Sequence, residues 1–484
     1  MSGQEIISKA YQELESLSET SAAAFDGERN GRFRRLLEHH VHNRRNTAYA
    51  NLWRSHGLDP VRDVAVDLAD VERLPLVDRD FLKDADYAGR PAVPDDQVAN
   101  RVATSGTTTG VPLTFPISFA TRTRVYPELL MRCFVLIGAG DLLLDHSYHI
   151  AHYSHGTKLP PGEVKPGTSL TGTSILFSET RRLLGDRVMV GDTRAPLEEH
   201  LRVFAEHRPR YSCSSPHVYL NILAAAQERG IDLSSCSLEY FLGGGAPLVR
   251  EDYARLKSGL GLRRAALTYV SNETGLMGAQ RVDEGAYTLF DDIYLVEVLD
   301  DRGRHVAPGE RGRIAVTSFA ADAFPLIRYL IGDAATYLGR DPAFPNATAI
   351  TEISRTAGAI VGNAKISFDE IGRMPHEMLL RGVPVLAVQL ARRKTDDRRD
   401  QLIVRLESVL QDRARINEAA LAVLRLNRQV ESLLNGNEVP MPVIEVYPPG
   451  ALRMGQFKLR PFVDESHLAV DDGWAVPVEQ RRAS

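Results

Sequence analysis

The chain has 484 residues, of which 43% are hydrophobic and 25% charged, the composition of a globular protein with a large core. Collagen-like, coiled-coil and wholly disordered proteins are thereby excluded. The 58 lysines and arginines against 63 aspartates and glutamates give a net charge of −5. We therefore expect no nucleic acid and no anionic membrane as a partner, because the chain has no overall positive charge to attract them.

The cysteines and the apolar segments exclude further classes. Cys133, Cys213 and Cys236 are too few and too far apart for a disulfide framework or a four-ligand zinc site. Acidic residues occupy the N-terminal stretch in which a signal peptide would be apolar. No segment reaches the ~20 apolar residues of a membrane helix. We predict a cytoplasmic protein.

The hydrophobic pattern predicts helices first and alternating strands and helices afterwards. Residues 1–57 have helical spacing, and Asp78 is a candidate N-cap for a helix within 73–84. Between about 100 and 320, short apolar runs alternate with helical patterns, which indicates an α/β architecture. The predicted strands there are 188–190, 240–242, 266–270, 293–299 and 313–317, with a hairpin turn at 300–303.

Beyond residue 352 the pattern changes to that of a smaller mixed region. It predicts a long helix at 414–434 and strands at 383–389, 402–406 and 443–447. We therefore predict two domains, an α/β N-terminal domain of residues 1–352 and a small α+β C-terminal domain of residues 353–484.

The strongest local motif is a run of hydroxyl residues and glycines at 103–112, ATSGTTTGVP. Glycines let backbone N–H groups turn inward to form an anion-binding nest, and hydroxyls add donors. No Gly-Lys-Ser/Thr follows, so this is not a Walker A loop. By itself the motif fits a polyphosphate-binding loop or a Ser/Thr-rich surface loop. Its candidate ligand residues are Ser105, Gly106, Thr107, Thr108, Thr109 and Gly110.

Three weaker motifs follow in order. Residues 243–248, GGGAPL, follow a predicted strand and are either an ordinary turn or a platform for a planar ring. Residues 269–273, YVSNE, offer an aromatic face and a carboxylate. Residues 325–333, PLIRYLIGD, end in Asp333, which is either a turn residue or an acceptor for two vicinal hydroxyls.

In this order, the four motifs resemble the adenylate-forming superfamily of acyl-CoA ligases, adenylation domains and luciferases. The resemblance is closest to its phenylacetate-CoA ligase-like branch, which the segment 74–83, LPLVDRDFLK, also resembles. It covers the chain from about Arg32 to Asp464. It implies a large N-terminal α/β domain that binds ATP and the acid, and a small, mobile C-terminal lid domain.

The resemblance implies a role for each motif residue. The hydroxyl loop would hold the ATP phosphates, with Thr107 in the catalytic set. Glu273 would coordinate Mg²⁺ and Asp333 would bind the ribose hydroxyls. Arg355 would belong to the nucleotide site at the domain junction. The remaining nucleotide-binding residues, around the adenine, would be Gly244, Gly245, Ala246, Pro247, Tyr269 and Asn272.

The sequence departs from the family near its C-terminus. In the segment 455–460, GQFKLR, Gln456 stands where the family has a lysine that reaches the reacting oxygens. Alternate residues of an extended segment share one face, so Lys458 is a candidate replacement for that catalytic cation. The alternative is that Lys458 is a solvated surface lysine.

Four histidines recur every third residue from 146 to 155. The neighbouring residues favour strand and loop over helix, and three interpretations are open: polar lining of an acyl pocket, structural or surface histidines, and metal binding. A polar pocket would suit a hydroxy- or amino-substituted aromatic acid. The candidate pocket residues are His149, His152, Tyr153, Ser215, His217 and Gly243.

The predicted activity is ATP-dependent activation of a small, aromatic carboxylic acid as its acyl-adenylate, followed by transfer to CoA. One alternative is transfer to an amine or a carrier protein. Another is a nucleotide-binding homologue without turnover. Gln456 favours it, as does Gly358, which with Ala357 stands where the family usually has an acidic pair, whereas Glu273 and Asp333 oppose it.

Overall fold

The computed structural model describes residues 3–63, 67–83, 90–103, 113–145, 149–154, 169–170, 172–192, 197–244, 248, 250–283, 285–408, 410–448, 451–453 and 461–465. The chain divides into two compact units, Met1–Thr356 and Ala357–Ser484. The sequence analysis placed the division after residue 352. Residues 353–356 lie in the first unit, where the strand Thr348–Arg355 pairs with Tyr329–Arg340 as far as Arg355. The functions predicted for the two domains stay predictions.

The described helices of the first unit are α1 Gly3–Glu19, α2 Ala22–Val41, α3 Ala48–Ser55, α4 Arg79–Lys83, α5 Tyr126–Leu136, α6 Asp141–Leu144, α7 Gly172–Leu184, α8 Leu197–His207, α9 Pro216–Glu228 and α10 Arg250–Leu260. Helices α1 to α3 confirm the helical pattern of residues 1–57. The α2 residues Phe33, Leu36 and Leu37 are buried in the core. The Asp78 carboxylate accepts hydrogen bonds from the backbone N–H groups of Asp80 and Phe81, so Asp78 caps α4 as predicted.

The strands of the first unit are β1 Val98–Ala103, β2 Thr114–Ser118, β3 Ile150–Ser154, β4 Ser169–Leu170, β5 Val188–Asp192, β6 Tyr211–Ser214, β7 Tyr240–Gly243, β8 Arg264–Ser271, β9 Gly275–Gln280, β10 Tyr287–Leu289, β11 Tyr294–Leu299, β12 Arg311–Ser318, β13 Tyr329–Arg340 and β14 Thr348–Arg355. They form a small sheet, β2-β1-β4, and an eleven-stranded sheet, β11-β12-β13-β14-β10-β9-β8-β7-β6-β3-β5. The five strands predicted between 188 and 317 are all present.

The large sheet has a parallel part and an antiparallel part. Strands β5, β3, β6, β7 and β8 are parallel to one another, and the strands from β9 to β11 continue the sheet with antiparallel pairs. The carboxyl ends of parallel strands meet at one edge, which in open α/β sheets is where ligands bind. Gly243 and Gly244, at the end of β7, and residues 271–273, at the end of β8, lie at this edge.

The second unit is a separate α+β structure with its own buried apolar cluster. Its elements are β15 Gly358–Val361, β16 Ala364–Ser367, α11 Phe368–Leu380, β17 Ala387–Lys394, β18 Asp400–Glu407, α12 Arg413–Leu424, α13 Arg428–Asn435, β19 Val443–Tyr447 and β20 Phe462–Asp464. Strands β15 and β16 pair with each other, and the other four form a sheet in the order β19-β18-β17-β20.

One prediction for this region was wrong in detail, and one helix was not predicted. The single helix expected at 414–434 is two helices, because the Asn427 side chain accepts hydrogen bonds from the N–H groups of Gln429 and Val430 and so starts α13. Helix α11 was missed, although Ser367 and Glu370 form a capping box at its start.

In the described part of the chain, no helix has the length and apolar character needed to cross a membrane.

Candidate active site

A buried carboxylate with two partners defines one side of the candidate site. The Tyr269 hydroxyl donates a hydrogen bond to Asp333 Oδ2 at 3.0 Å, and Arg355 Nε lies 3.1 Å from Asp333 Oδ1. Asp333 and Arg355 are direct partners in the β13–β14 ladder, so the strand register brings their opposite charges together. Tyr269 and Asp333 are each 5% exposed. Burial, followed by the negative charge of Asp333, raises the pKa of Tyr269 well above 10, so its hydroxyl stays a donor.

Glu273 lies in the three-residue turn that joins β8 to β9. The Tyr294 hydroxyl donates to the Thr274 carbonyl at 2.7 Å. Gly275 has a φ of +80°, and a Cβ atom there would lie 2.6 Å from the Tyr126 ring. Only glycine fits this position, since the backbone is left-handed and the ring is packed against it. These contacts fix the turn that carries the Glu273 carboxylate.

The Glu273 carboxylate has an arginine beside it that the sequence analysis did not select. Arg79 Nη1 lies 3.6 Å from Glu273 Oε1, and both side chains are largely buried, 22% and 11% exposed. Arg79 is the first residue of α4, and Val77 just before it exchanges backbone hydrogen bonds with Arg328 and Leu330 at the start of β13. The only sequence signal was its position in the segment 74–83.

Beside Glu273 is an open cleft of about 350 Å³. Two carboxylates line it, those of Glu273 and Asp322, and the Thr121 hydroxyl lies within hydrogen-bonding distance of Asp322 at 3.2 Å. The other lining residues are Phe115, Pro116, Ile117, Val125, Tyr126, Thr274, Tyr294, Ser318, Ala320, Ala321, Ala323 and Phe324. The cleft is therefore apolar in most of its wall and acidic at two points.

Two glycines at the end of β7 pack closely against side chains of β8. A Cβ atom at Gly243 would lie 2.6 Å from the Leu267 side chain, and one at Gly244 would lie 2.7 Å from the Thr268 hydroxyl. The neighbouring strand β8 therefore accounts for both glycines without a ligand. Their predicted contact with the substrate or an adenine ring stays a prediction. Ser215 lies next to them, directly after β6 and before α9.

His149 lies apart from Ser215 and Gly243, and its predicted place in an acyl pocket stays a prediction. It precedes β3, its carbonyl accepts a hydrogen bond from the Arg210 N–H, and its ring is edge-to-face with His207 at 5.4 Å. Ser215 follows β6 and Gly243 ends β7, at the carboxyl ends of two strands parallel to β3. A five-residue strand is about 16 Å long, so chain direction alone separates His149 from them.

The other predicted residues fall into three groups. His152 and Tyr153 lie in β3, with His152 level with Cys213 and Leu242, and His217 lies in the first turn of α9. Asn272 is in the same turn as Glu273. The remaining residues lie outside the described part of the chain: Ser105, Gly106, Thr107, Thr108, Thr109, Gly110, Gly245, Ala246, Pro247 and Lys458.

Comparison with known proteins tests the resemblance. No family model matches the chain. It is 26% identical over 271 residues to a phenylacetate-coenzyme A ligase of Thermus thermophilus, an alignment that covers 55% of this chain and 56% of that enzyme. It is 23% identical over 347 residues to the corresponding enzyme of Aromatoleum evansii, covering 71% and 69%. The chain thus spans little more than half the length of the Thermus relative.

Solved structures match over nearly the whole chain. The crystal structure of 2-hydroxyisobutyryl-CoA ligase in the postadenylation state, in complex with R3-HIB-AMP, has a TM-score of 0.66 at 18% identity and covers 94% of this chain and 92% of that one. An acyl acid amido synthetase in complex with 2,4-DB has a TM-score of 0.62 at 14% identity, covering 94% of each chain. The chain has the fold of the adenylate-forming enzymes. With the sequence matches, this confirms the resemblance to the phenylacetate-CoA ligase-like branch.

In this adenylate-forming fold, two carboxylate–arginine pairs lie near one tyrosine ring. They are Glu273 with Arg79 and Asp333 with Arg355. Burial, followed by the charge of Glu273, raises the pKa of Tyr329, whereas Arg79 and Arg355 act in the opposite direction. All four charges are therefore close enough to act on this ring. The two pairs balance each other in charge, so neither sign dominates among these four groups.

Proposed function

We propose that this protein uses ATP and Mg²⁺ to convert a small carboxylic acid, aromatic in character, into its acyl-adenylate, and then transfers the acyl group to CoA. The observation that carries the proposal is the buried Asp333 carboxylate held by Tyr269 and Arg355, in the same region as Glu273. The choice of an aromatic acid and of CoA is supported by the relatives, which are phenylacetate-coenzyme A ligases.

The chemistry explains why such a site is needed. A free carboxylate is a poor acyl donor because its leaving group would be oxide. Attack of the carboxylate on the α-phosphorus of ATP releases pyrophosphate and gives an acyl-adenylate, from which a thiol displaces AMP. The site must hold two anions together and stabilise the charge that develops between them.

The described residues fit this task by the chemistry of their donor atoms. The Asp333 carboxylate is an acceptor suited to the two ribose hydroxyls, and such hydrogen bonds to a charged group are stronger than neutral ones. Glu273 offers the hard oxygen ligands that Mg²⁺ prefers. Arg79 Nη1 and Glu273 Oε1 are 3.6 Å apart, farther than the about 2.8 Å of a charge-assisted hydrogen bond. Arg79 therefore does not block the Glu273 carboxylate from binding Mg²⁺. Bound Mg²⁺ would neutralise phosphate charge.

The test is ATP–pyrophosphate exchange with a panel of aromatic acids, including phenylacetate, benzoate and their hydroxy and amino derivatives. We expect exchange with at least one acid, and a thioester when CoA is added. Asp333→Asn should weaken exchange, whereas Asp301→Asn, in the exposed β11–β12 turn, is the matched control.

Three other outcomes would change the proposal. Amide formation with amines but no thioester would make an amine the acceptor. ATP binding without exchange for any acid would favour a nucleotide-binding homologue without turnover. Exchange only with aliphatic acids would contradict the aromatic substrate.

A further inference from the structure

The cleft beside Glu273 carries more negative charge than the proposed reaction uses. Glu273 and Asp322 both line it, and none of its described wall residues is a lysine, an arginine or a histidine. Asp322 lies between β12 and β13 and has no part in the reaction proposed above. A ligand complementary to this cleft should therefore carry a positive charge.

Asp322 is held by the protein through one of its two oxygens. The Ala323 N–H donates to Asp322 Oδ1 at 2.8 Å, and the Thr121 hydroxyl lies 3.2 Å from the same atom. No hydrogen bond or ion pair within the described ranges involves Oδ2. The carboxylate is thus fixed in position, with its second oxygen left to accept a hydrogen bond from a ligand.

Tyr126 adds an unpaired hydroxyl to the same wall. The residue is 6% exposed and lines the cleft, and among the described contacts its hydroxyl has no hydrogen-bond partner. Burial, followed by the charge of Glu273, raises the pKa of Tyr126, so the hydroxyl stays protonated within reach of that charge. A buried polar group normally has a partner, because leaving it unpaired costs free energy. This hydroxyl indicates a polar ligand independently of the two carboxylates.

The rest of the cleft wall is largely aromatic and aliphatic. The Phe115 and Phe324 rings are stacked with their centroids 4.8 Å apart, and Tyr294 lies in the same wall. Aromatic faces attract organic cations through the charge distribution of the ring. A metal ion bound by the protein alone would instead need a shell of oxygen ligands. The described side chains include no group of three or more potential metal ligands.

We propose that this cleft binds a small organic ammonium ion, the protonated form of an amine with an apolar body. The ammonium group has donors only and pairs with Asp322 Oδ2, and the charge of Glu273 adds to the attraction. The apolar body packs against Phe115 and Phe324. The inference goes beyond the proposed function, because this binding requires neither ATP nor a carboxylic acid.

The test is calorimetry on the full chain, without ATP or Mg²⁺, using phenethylamine as the probe. Phenethyl alcohol has nearly the same shape without the charge, and ammonium chloride has the charge without the apolar body. We expect the amine to bind at least about tenfold more tightly than either. Asp322→Asn keeps an oxygen for Ala323 and removes the charge, so it should raise the dissociation constant of the amine about tenfold. Binding of the alcohol should not change.

Asp301→Asn, in the exposed β11–β12 turn, is the matched control and should leave amine binding unchanged. If Asp322→Asn does not fold, Glu273→Gln replaces it and should also weaken amine binding. Equal binding of the amine and the alcohol would overturn the inference, as would equal binding of ammonium chloride, an unchanged amine affinity in the folded variant, or no amine binding at all. Because no nucleotide is present, each of these results leaves the proposed function to its own test.

Discussion

Arg79 Nη1 lies 3.6 Å from Glu273 Oε1, although the two residues are far apart in the chain. Arg79 begins α4, and the backbone pairing of Val77 with the start of β13 brings that helix to the turn between β8 and β9. A permanent positive charge thus lies beside the carboxylate that we propose as the Mg²⁺ ligand. An arginine and a divalent cation near one carboxylate repel each other, and this gives the first two predictions.

Glu273→Gln should reduce the rate of adenylate formation by at least about tenfold, because the amide keeps the size of the side chain and removes its charge. Loss of one electrostatic contact in a transition state costs about 2–4 kcal/mol. Pyrophosphate exchange across a Mg²⁺ titration measures the effect. An unchanged rate with an unchanged Mg²⁺ requirement would rule out the proposed role of Glu273.

Arg79→Gln should lower the Mg²⁺ concentration needed for half-maximal exchange, because the competing charge beside Glu273 is removed. The measurement is the same titration, with Arg302→Gln in the exposed β11–β12 turn as the control. If Arg79→Gln abolishes exchange at every Mg²⁺ concentration, Arg79 contributes directly to the reaction. A higher Mg²⁺ requirement would contradict the competition.

Tyr269→Phe should raise the KM for ATP by about three- to tenfold, since it removes one hydrogen bond to a buried carboxylate and keeps the aromatic ring. Asp333→Asn should raise it further. The raised pKa of Tyr269 means that its hydroxyl stays protonated up to at least pH 9, so it should cause no alkaline loss of ATP binding below that pH. If the unaltered protein uses 2′,3′-dideoxy-ATP as well as ATP, Asp333 does not bind the ribose.

Lys458→Ala should abolish adenylate formation and spare transfer from a supplied acyl-adenylate. An active ligase needs a cation for the charge that develops at the α-phosphate, and the neutral amide of Gln456 cannot supply it. Both half-reactions are measured separately. In the Lys458→Ala background, Gln456→Lys should restore part of the activity. Full adenylation by Lys458→Ala would show that another cation acts instead, with Arg453, Arg460 and Arg79 as the candidates.

Local residue patterns determined much of this protein. The strands at 240–243 and 294–299, the cap at Asp78 and the hairpin after β11 were predicted because each depends on neighbours within about ten residues. The order of the four motifs was enough for the adenylate-forming resemblance. The division of the predicted helix at 414–434 also depends on neighbouring residues. Asn427, a residue type that favours helix starts, caps the second helix.

The tertiary structure alone decided which charged groups meet and which edge of the sheet each residue occupies. Nothing near Asp333 in the sequence specifies that its carboxylate contacts Tyr269 or Arg355, because the contacts depend on strand order and register in an eleven-stranded sheet. The position of Arg79 beside Glu273 depends in the same way on distant strands. His149 was assigned to the pocket by its residue type, and the direction of β3 places it at the opposite edge. The sequence shows which chemical groups occur and at what spacing along the chain. The packing of segments far apart in the chain decides which of these groups meet in a site.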